Sequence, residues 1–363
     1  MIAGTLARYF GMSFLNTVAA VFLGLVAMVA LLDCIELMRR TADIPNVSGW
    51  MVAKASLFRV PQVTERILPF CMLVGAMSCY LNLSRRLELV VARSAGISAW
   101  EFISPALIVA LALGVTATTL YNPMAAGLLE RSKRLQAEIF GERSTGLQDS
   151  ASGFWLRQRS AEGQSILNAT ASRQQGLELG GVIAFTFDAA GHFQERVEAV
   201  TAVLQAGHWR LEQVRVFAPG SPPADRAAYL LATNLTPEQV RESFATPESV
   251  SFWQLPVYIA TTEHAGFVAA GYRLQYHKLL AQPFMLAAMV LLAAAVSLRF
   301  FRFGGVQKMV MGGMAAGFLL YVLAKITDDM SKAGLMHPVA AAWLPVLIAG
   351  VIGLVALMYQ EDG

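Results

Sequence analysis

Residues 10–32 read FGMSFLNTVAAVFLGLVAMVALL, a stretch of 23 residues without Asp, Glu, Lys or Arg. A helix needs about 20 apolar residues to cross a bilayer, so this stretch predicts a membrane-spanning helix. Five further runs lack the same charged residues and approach or exceed that length. The six runs are Phe10–Leu32, Ile67–Ser84, Phe102–Leu129, Leu279–Leu298, Met309–Ala324 and Ala333–Gln360. The sequence therefore predicts six transmembrane helices, three before and three after a central region.

The composition of the whole chain is also that of a membrane protein. Of its 363 residues, 56% are hydrophobic and only 15% are charged, and the mean hydropathy is +0.51. Soluble domains carry about 45–50% apolar and about 25% charged residues. A net charge of +3 argues against a nucleic-acid-binding surface, and three cysteines without CxxC spacing argue against a disulfide framework or a structural metal site.

Charge is concentrated between the two groups of helices. The range Glu130–Lys278 holds 29 of the 53 charged residues. Turn residues separate short strand-like stretches there: Gly181–Phe187, Val197–Leu204, His208–Phe217 and Ala227–Leu235. The pattern predicts an antiparallel sandwich, barrel or jelly roll. We therefore expect an all-β domain at 130–270, inserted between transmembrane regions at 1–129 and 271–363.

The short loops give the orientation in the membrane. With the amino terminus in the cytoplasm, the cytoplasmic loops carry seven Lys or Arg residues and the outer loops five. Cytoplasmic loops are enriched in these residues, so this orientation is favoured. It places the inserted domain outside the cytoplasm.

Sequence motifs of catalysis are absent. The chain has no G-x-x-x-x-G-K-[ST], H-E-x-x-H or G-x-S-x-G motif, so it predicts no enzyme and no nucleotide site of its own. Lys325, Asp328 and Asp329 lie at the end of the fifth run. Because the spacing allows i+3 and i+4 pairs, we interpret them as interfacial ion pairs rather than a proton relay.

The stretch Leu83–Trp100, LSRRLELVVARSAGISAW, links the second and third runs. It predicts a short amphipathic helix at about 84–96 on the cytoplasmic surface, with Leu83, Leu87, Val90 and Val91 on one face. Gly96 would end this helix, and Ser98-Ala-Trp-Glu101 forms a capping box for the next. From the residues alone, it is an interfacial helix with an Arg85–Glu88 pair.

Three blocks of sequence resemble the LptF/LptG family of lipopolysaccharide export permeases. They are Leu68-Pro-Phe to Ile97-Ser98, Gly271-Tyr-Arg-Leu-Gln-Tyr-His-Lys-Leu-Leu-Ala-Gln-Pro283 and Ala232-Thr-Asn-Leu-Thr-Pro-Glu238. The similarity covers nearly the whole chain and is closer to the LptG side. The resemblance implies an α-helical membrane protein with six transmembrane helices and an inserted jelly-roll-like periplasmic domain, located in the bacterial inner membrane.

The same resemblance implies partners and a site. One transporter half would pair with an LptF-like permease, take its ATPase from a separate LptB-like chain, and deliver lipopolysaccharide to LptC-like and LptA-like bridge proteins. ATP and Mg would bind to the ATPase, and this chain would need no cofactor. The helix at about 84–96 would be the coupling helix that docks in the ATPase, with Glu88 as its acidic residue and Arg85, Arg86 and Arg93 beside it.

A second candidate site closes the first run, in Asp33-Cys-Ile-Glu-Leu-Met-Arg-Arg40. Arg39 and Arg40 lie on the outer side in the favoured orientation. They either anchor the helix, with Glu36 pairing to Arg40, or bind the phosphates of an anionic lipid through their planar guanidinium groups. Family members place basic residues here against lipid A phosphates. They often carry another basic residue one turn earlier, where this chain has Asp33.

Two other functions are compatible with the residue patterns. An ion-driven transporter would need intramembrane carboxylates or broken inverted repeats, and neither is evident. A structural or signalling membrane protein would use its β-domain to bind a periplasmic ligand. Together with the resemblance, the patterns favour the permease subunit of an ATP-driven lipopolysaccharide exporter.

Overall fold

The computed structural model describes residues 4–42, 48–94, 96–140, 154–160, 163–173, 176–188, 192–234, 247–264, 269–301 and 306–361. Its helices are α1 (Thr5–Thr41), α2 (Gly49–Arg85), α3 (Glu88–Ser94), α4 (Ala99–Thr116), α5 (Asn122–Phe140), α6 (Leu255–His264), α7 (Ala270–Phe301), α8 (Val306–Lys332) and α9 (Pro338–Glu361). A π-helical segment, Ala117–Tyr121, joins α4 to α5, and a 3₁₀ turn, Pro247–Ser249, precedes α6.

Six helices are long and apolar enough to cross a membrane, as the apolar runs predict. They are Thr5–Thr41, Gly49–Arg85, Ala99–Gln136, Ala270–Leu298, Val310–Lys332 and Pro338–Tyr359. Most of these helices extend beyond the predicted apolar runs. Polar residues outside the apolar core of the membrane can continue the same backbone hydrogen bonding, so a helix need not end where its apolar run ends. The third span shows this: α5 continues to Phe140, within the range predicted for the inserted domain.

Packing explains the length of α5. Ile139 is buried in a small cluster with Leu37 of α1 and with Val52 and Ala55 of α2, and Leu135 packs against the same cluster. These apolar contacts hold the polar end of α5 against the first two spans. The range 130–140 is therefore helical, and the first strand among the described residues begins at Phe154.

The helices pack around one large apolar core. Phe14 of α1, Ile103 of α4 and Leu286 of α7 are each at most 1% exposed within it. Close approach is required where α4 meets α7: a Cβ on Gly114 would lie 2.3 Å from the Cα of Pro283. Only glycine fits there, so any larger residue would push the two spans apart.

The inserted region is an antiparallel sheet of strands β1 (Phe154–Ser160), β2 (Gly163–Arg173), β3 (Glu178–Phe187), β4 (Phe193–Gln205), β5 (His208–Phe217) and β6 (Ala224–Ala232). The prediction of an inserted β-sheet domain is confirmed, but Leu255–His264, within the predicted range 130–270, is helical. The described strands form one sheet in the consecutive order β1 to β6, and the crossover connections of a two-sheet jelly roll are not among them. The stretch Thr236–Glu238 lies outside the described residues.

The sheet bends along a line across its strands. Gly181 of β3 and Gln213 of β5 have φ angles of 60° and 53°, in the left-handed region. On either side of Gln213, both Leu211 and Val214 are buried, so the inward and outward alternation changes phase there. Residues on both sides of the bend belong to one apolar cluster around the fully buried Trp209. The bend therefore curves the sheet around its own core.

Candidate functional site

The predicted coupling helix is shorter than the range 84–96. Helix α2 runs on to Arg85, and α3 begins only at Glu88. Between them, the N–H groups of Arg86 and Leu87 donate to the carbonyls of Asn82 and Ser84, and Leu87 has a φ of 61°. This is a helix-ending turn with a left-handed residue, usually glycine. The predicted single helix was therefore wrong in extent: it consists of the end of α2, a turn and α3.

The turn also changes which side chains face outward. Leu83 and Leu89 are each 4% exposed and belong to the core, whereas Leu87 and Val91 are 59% and 64% exposed. The prediction that Leu83, Leu87 and Val91 share one face was therefore wrong, because it assumed an unbroken helical period. The side chains of Val90 and Arg93 lie outside the described residues. An exposed apolar pair, one residue in the turn and one on the short helix that follows, is a surface suited to a partner.

Glu88 faces the first span. The hydroxyl of Tyr9, on α1, donates to Oε1 of Glu88 at 3.2 Å. The second carboxylate oxygen, Oε2, is buried and has no hydrogen-bond partner among the described residues. The Arg85–Glu88 pair is absent from the ion pairs of the described part of the chain, and both Arg85 and Arg86 are exposed. Glu88 is thus oriented by α1 rather than by its neighbour on the same segment.

Tyr9 was missed at the level of sequence. It lies 79 residues before Glu88, and no local pattern connects the two. The neighbouring Phe10 is buried against Phe102 of α4, with ring centroids 6.4 Å apart, which fixes this end of α1 beside the third span.

Arg39 and Arg40 lie at the other end of α1, both bonded to Glu36. The Arg39 and Arg40 guanidinium groups approach the Glu36 carboxylate at 2.9 and 2.8 Å, and the two arginine side chains are 76% and 64% exposed. The predicted Glu36–Arg40 pair is confirmed, and Arg39 joins it. Because both side chains are exposed, an anionic group can reach their remaining N–H groups.

Asp33 contacts the second span, α2. Its carboxylate accepts a hydrogen bond from the Ser56 hydroxyl at 2.7 Å and lies 3.5 Å from the Arg59 guanidinium. Asp33 therefore joins α1 to α2, and its charge is compensated by Arg59. The two arginines at the end of α1 are not its partners.

Ion pairs occur at the end of α8 as expected. Lys325 bonds Asp329 at 3.0 Å, which confirms the predicted i,i+4 pair. Asp328 bonds Lys278 of α7 at 2.5 Å rather than Lys325. One pair is therefore local and the other joins two spans. Among the described residues, no group of three or more His, Cys, Asp or Glu side chains could hold a metal ion.

The β-domain carries a shallow depression of about 560 Å³ on its outer surface, beside the bend at Gln213. Two of its charged side chains pair with each other: Arg215 donates to Asp225 at 2.7 Å. This hydrogen bond and the charge of Arg215 hold the pKa of the Asp225 carboxyl below its usual value. The depression is open to solvent, and we assign no ligand to it.

The two sets of predicted site residues do not meet. Tyr9 and Arg39 are 30 residues apart on one continuous helix, a distance of about 45 Å at 1.5 Å per residue. The α3 end of the bundle, with Glu88, Leu87 and Val91, is therefore one candidate site, and the arginine end of α1 is another. A single helix connects them.

Comparison with known proteins agrees with this arrangement of spans and sheet. The family model described as lipopolysaccharide export system permease LptF/LptG matches residues 8–359. The chain is similar to the lipopolysaccharide export system permease protein LptG of Escherichia coli K12, with 25% identity over 377 aligned positions covering 99% of both chains. It is also similar to LptG of Haemophilus influenzae, with 24% identity over 359 positions covering 95% of both.

Proposed function

The chain belongs to the LptF/LptG family of lipopolysaccharide export permeases, and we propose that it is the LptG-like half of an ATP-driven exporter. In this role it takes lipopolysaccharide from the outer leaflet of the inner membrane and passes it to a periplasmic bridge. The chain is a permease and not a catalytic enzyme. ATP and Mg bind to a separate LptB-like ATPase, and an LptF-like chain supplies the other half of the permease.

The α3 end is proposed as the docking site of the ATPase. The observation that carries this proposal is the conjunction of exposed Leu87 and Val91 with a Glu88 carboxylate that α1 holds in place. Apolar side chains supply buried area to an interface, and a carboxylate supplies a directed, charge-assisted contact. Arg85, Arg86 and Arg93 belong to the same segment and would border the interface.

The arginine end is proposed as the entry site for lipid phosphates. Arg39 and Arg40 are exposed and share one carboxylate between two guanidinium groups. Two positive charges on one negative charge leave a net positive helix end, which attracts an anionic headgroup. In the proposed orientation this end and the β-domain both lie on the periplasmic side.

Unburied apolar faces support a cavity wall shared with a second permease chain. Only 6% of the most apolar part of α1 and 22% of that of α8 is buried within the chain. Exposed side chains on these helices include Leu23, Met28 and Leu31 of α1 and Phe318 and Leu319 of α8. Such faces suit contact with acyl chains and with a partner helix. Lipopolysaccharide export accounts for them more directly than the ion-driven or signalling alternatives do.

Purification of the tagged chain in mild detergent tests this proposal. We expect a second LptF/LptG-type chain and an ATPase to co-purify, with bound lipopolysaccharide, and LptC-like protein as an additional component. A chain that is recovered folded but without any ATPase would contradict the proposal. Purification is repeated after the lipid has been removed with detergent. A complex that survives this step is held by protein contacts rather than by bridging lipid.

A further inference from the structure

The segment that follows the β-domain is fastened to the third span. The backbone N–H of Phe252 donates to Oδ1 of Asn122 at 2.8 Å, and the indole N–H of Trp253 donates to the carbonyl of Thr119 at 3.1 Å. Thr119 lies in the π-helical segment and Asn122 begins α5. We call this set of contacts the joint.

The sequence of the third span explains why the Thr119 carbonyl is available as an acceptor. Residue 123, four positions after Thr119, is proline. Proline has no N–H, so the Thr119 carbonyl lacks the donor that an α-helix would supply. The Trp253 indole N–H donates to this carbonyl instead. A backbone carbonyl without a partner is costly away from water, so this acceptor favours a donor from outside the helix.

Asn122 uses both ends of its amide. It is 1% exposed, and its Nδ2 donates to Oε1 of Glu65 on α2 at 2.9 Å while its Oδ1 accepts from Phe252. One buried side chain therefore links the second span, the third span and the segment leaving the β-domain. Arg66 adds an ion pair to Glu248, at 3.6 Å, beside the same link.

Apolar contacts close the joint on its other side. The Phe252 ring stacks on Tyr276 of α7, with centroids 5.5 Å apart and an interplanar angle of 12°. Val250 and Leu255 are 3% and 0% exposed in the cluster that includes Tyr272 of α7. The segment is thus held between the third and fourth spans rather than lying loosely over them.

The π-helical segment itself is fixed to the neighbouring spans. The Thr118 hydroxyl donates to the Leu279 carbonyl at 2.9 Å, and that carbonyl lacks a helical donor because Pro283 follows four residues later. On the opposite side, the Tyr121 hydroxyl donates to the Pro61 carbonyl of α2 at 3.1 Å. A shift of α2 or α7 therefore acts directly on the segment that holds the joint.

We propose that Asn122 is a positioning residue, which couples the second and third spans to the chain segment leading out of the β-domain. This inference rests on the proposed function, in which the spans move and the β-domain receives lipid. Through Glu65 and Phe252, displacement of the second and third spans reaches the segment that follows the β-domain in the chain. The role is separate from ATPase docking at α3 and from phosphate binding at Arg39.

Spin-label distances in the purified chain test the joint without ATP or lipopolysaccharide. Cysteines replace Leu57 of α2 and Val200 of β4, which are 61% and 55% exposed, in a background where Cys34, Cys71 and Cys79 are alanine. Loss of a buried hydrogen bond changes the ratio of docked to undocked segment by about tenfold. We therefore expect N122L and N122D to broaden the distance distribution relative to the parent protein.

Reversal of the hydrogen bond supplies the decisive control. N122D leaves Glu65 facing a second carboxylate. Adding E65Q restores the hydrogen bond with its direction reversed, because the amide at position 65 then donates to the carboxylate at position 122. We expect N122D/E65Q to recover the narrow distribution, and L120A, which changes an exposed side chain of the same π-helical segment outside the joint, to retain it. Equal widths in the parent protein, N122L and N122D would overturn the proposal, as would a double variant as broad as N122D.

Transport assays then separate this inference from the proposed function. In the assembled complex, we expect N122D to lower lipid transfer and E65Q to restore it, with ATP hydrolysis retained in both variants. If the parent protein has a narrow distance distribution but transfers no lipid, the export function is contradicted. The proposal for the joint would still stand. Transfer by N122D equal to the parent would contradict the coupling role of Asn122.

Discussion

The hydroxyl of Tyr9 at the beginning of α1 donates a hydrogen bond to the carboxylate of Glu88, the first residue of α3, at 3.2 Å. This contact joins the first membrane span to the proposed coupling helix. Since α1 continues without interruption to Thr41, the helix that contacts Glu88 is also the helix that carries the arginine pair. We therefore expect a displacement of α3 by the proposed ATPase partner to shift the position of Arg39 and Arg40.

Replacing Tyr9 by phenylalanine tests this connection. Y9F keeps the ring, which packs 5.8 Å from Phe10, and removes only the hydroxyl. Loss of one hydrogen bond costs about 0.5–1.5 kcal/mol, so we expect normal assembly but weaker coupling between ATP hydrolysis and lipid transfer. The measurement is lipid transferred per ATP hydrolysed. Y321F, at an exposed tyrosine of α8, is the matched control, and equal coupling ratios in all three proteins would argue against a role for the bond.

Replacing Glu88 by alanine tests the docking site. A charge-assisted contact to the ATPase contributes about 1.5–3 kcal/mol, so we expect E88A to reduce recovery of the ATPase about tenfold or more. The chain itself should remain folded, because Glu88 lies at a bundle end. E101A removes an exposed carboxylate from the first turn of α4 and should retain the ATPase. Full recovery and full transport by E88A would remove Glu88 from the interface.

The parts of the fold that follow from local sequence are those set by length and period. A span must supply enough apolar residues to cross the bilayer, so the six charge-free runs indicate six helices in advance. The capping box at Ser98 is also local, and its hydroxyl accepts from the Glu101 N–H at 3.4 Å as expected. Alternation of residues likewise indicates β5, whose predicted and observed bounds, His208–Phe217, coincide.

The contacts that build the sites are of another kind. Leucine rarely adopts a left-handed backbone, so nothing in the sequence indicates that Leu87 ends α2 and turns Leu83 and Leu87 in different directions. Asn122 and Phe252 are 130 residues apart, and Tyr9 and Glu88 are 79 apart. Such pairs depend on how the spans pack, and a single sequence carries no local signal for them.

The orientation of the β-domain is tested by a reporter inserted at Gly220, in the exposed turn between β5 and β6. We expect alkaline phosphatase at this position to be active and a fluorescent protein that folds only in the cytoplasm to be dark. Turn residues tolerate insertion well, so the β-domain should survive the fusion. The opposite pattern would place the domain in the cytoplasm and contradict the proposed path of the lipid.

The arginine pair is tested by two sets of substitutions. If Arg39 and Arg40 only anchor α1, changing both to lysine should be nearly silent, because lysine also extends to the interface. If they bind phosphates, the double lysine variant should bind lipid less well, and the double glutamate variant should bind far less because it repels the headgroup. The measurement is photo-crosslinking of lipopolysaccharide from Met38, which is 44% exposed beside the pair.

A matched control for that series is R210K, at an arginine of β5 that also pairs with a nearby carboxylate, Glu212. It should crosslink like the parent protein. Equal crosslinking by the parent, double lysine and double glutamate variants, at equal protein levels, would leave Arg39 and Arg40 as helix anchors. The phosphate site would then lie elsewhere in the cavity.

ATP-dependent transfer of lipopolysaccharide from proteoliposomes tests the proposed function most directly. The vesicles hold this chain with its LptF-like and LptB-like partners, and a soluble bridge protein with a photo-crosslinking residue serves as acceptor. We predict that lipopolysaccharide crosslinks to the acceptor only when ATP is present, and that E88A lowers this crosslinking although lipid remains bound at the arginine end. Crosslinking that is equal with and without ATP, or ATP hydrolysis by an intact complex without any transfer, would contradict an ATP-driven exporter.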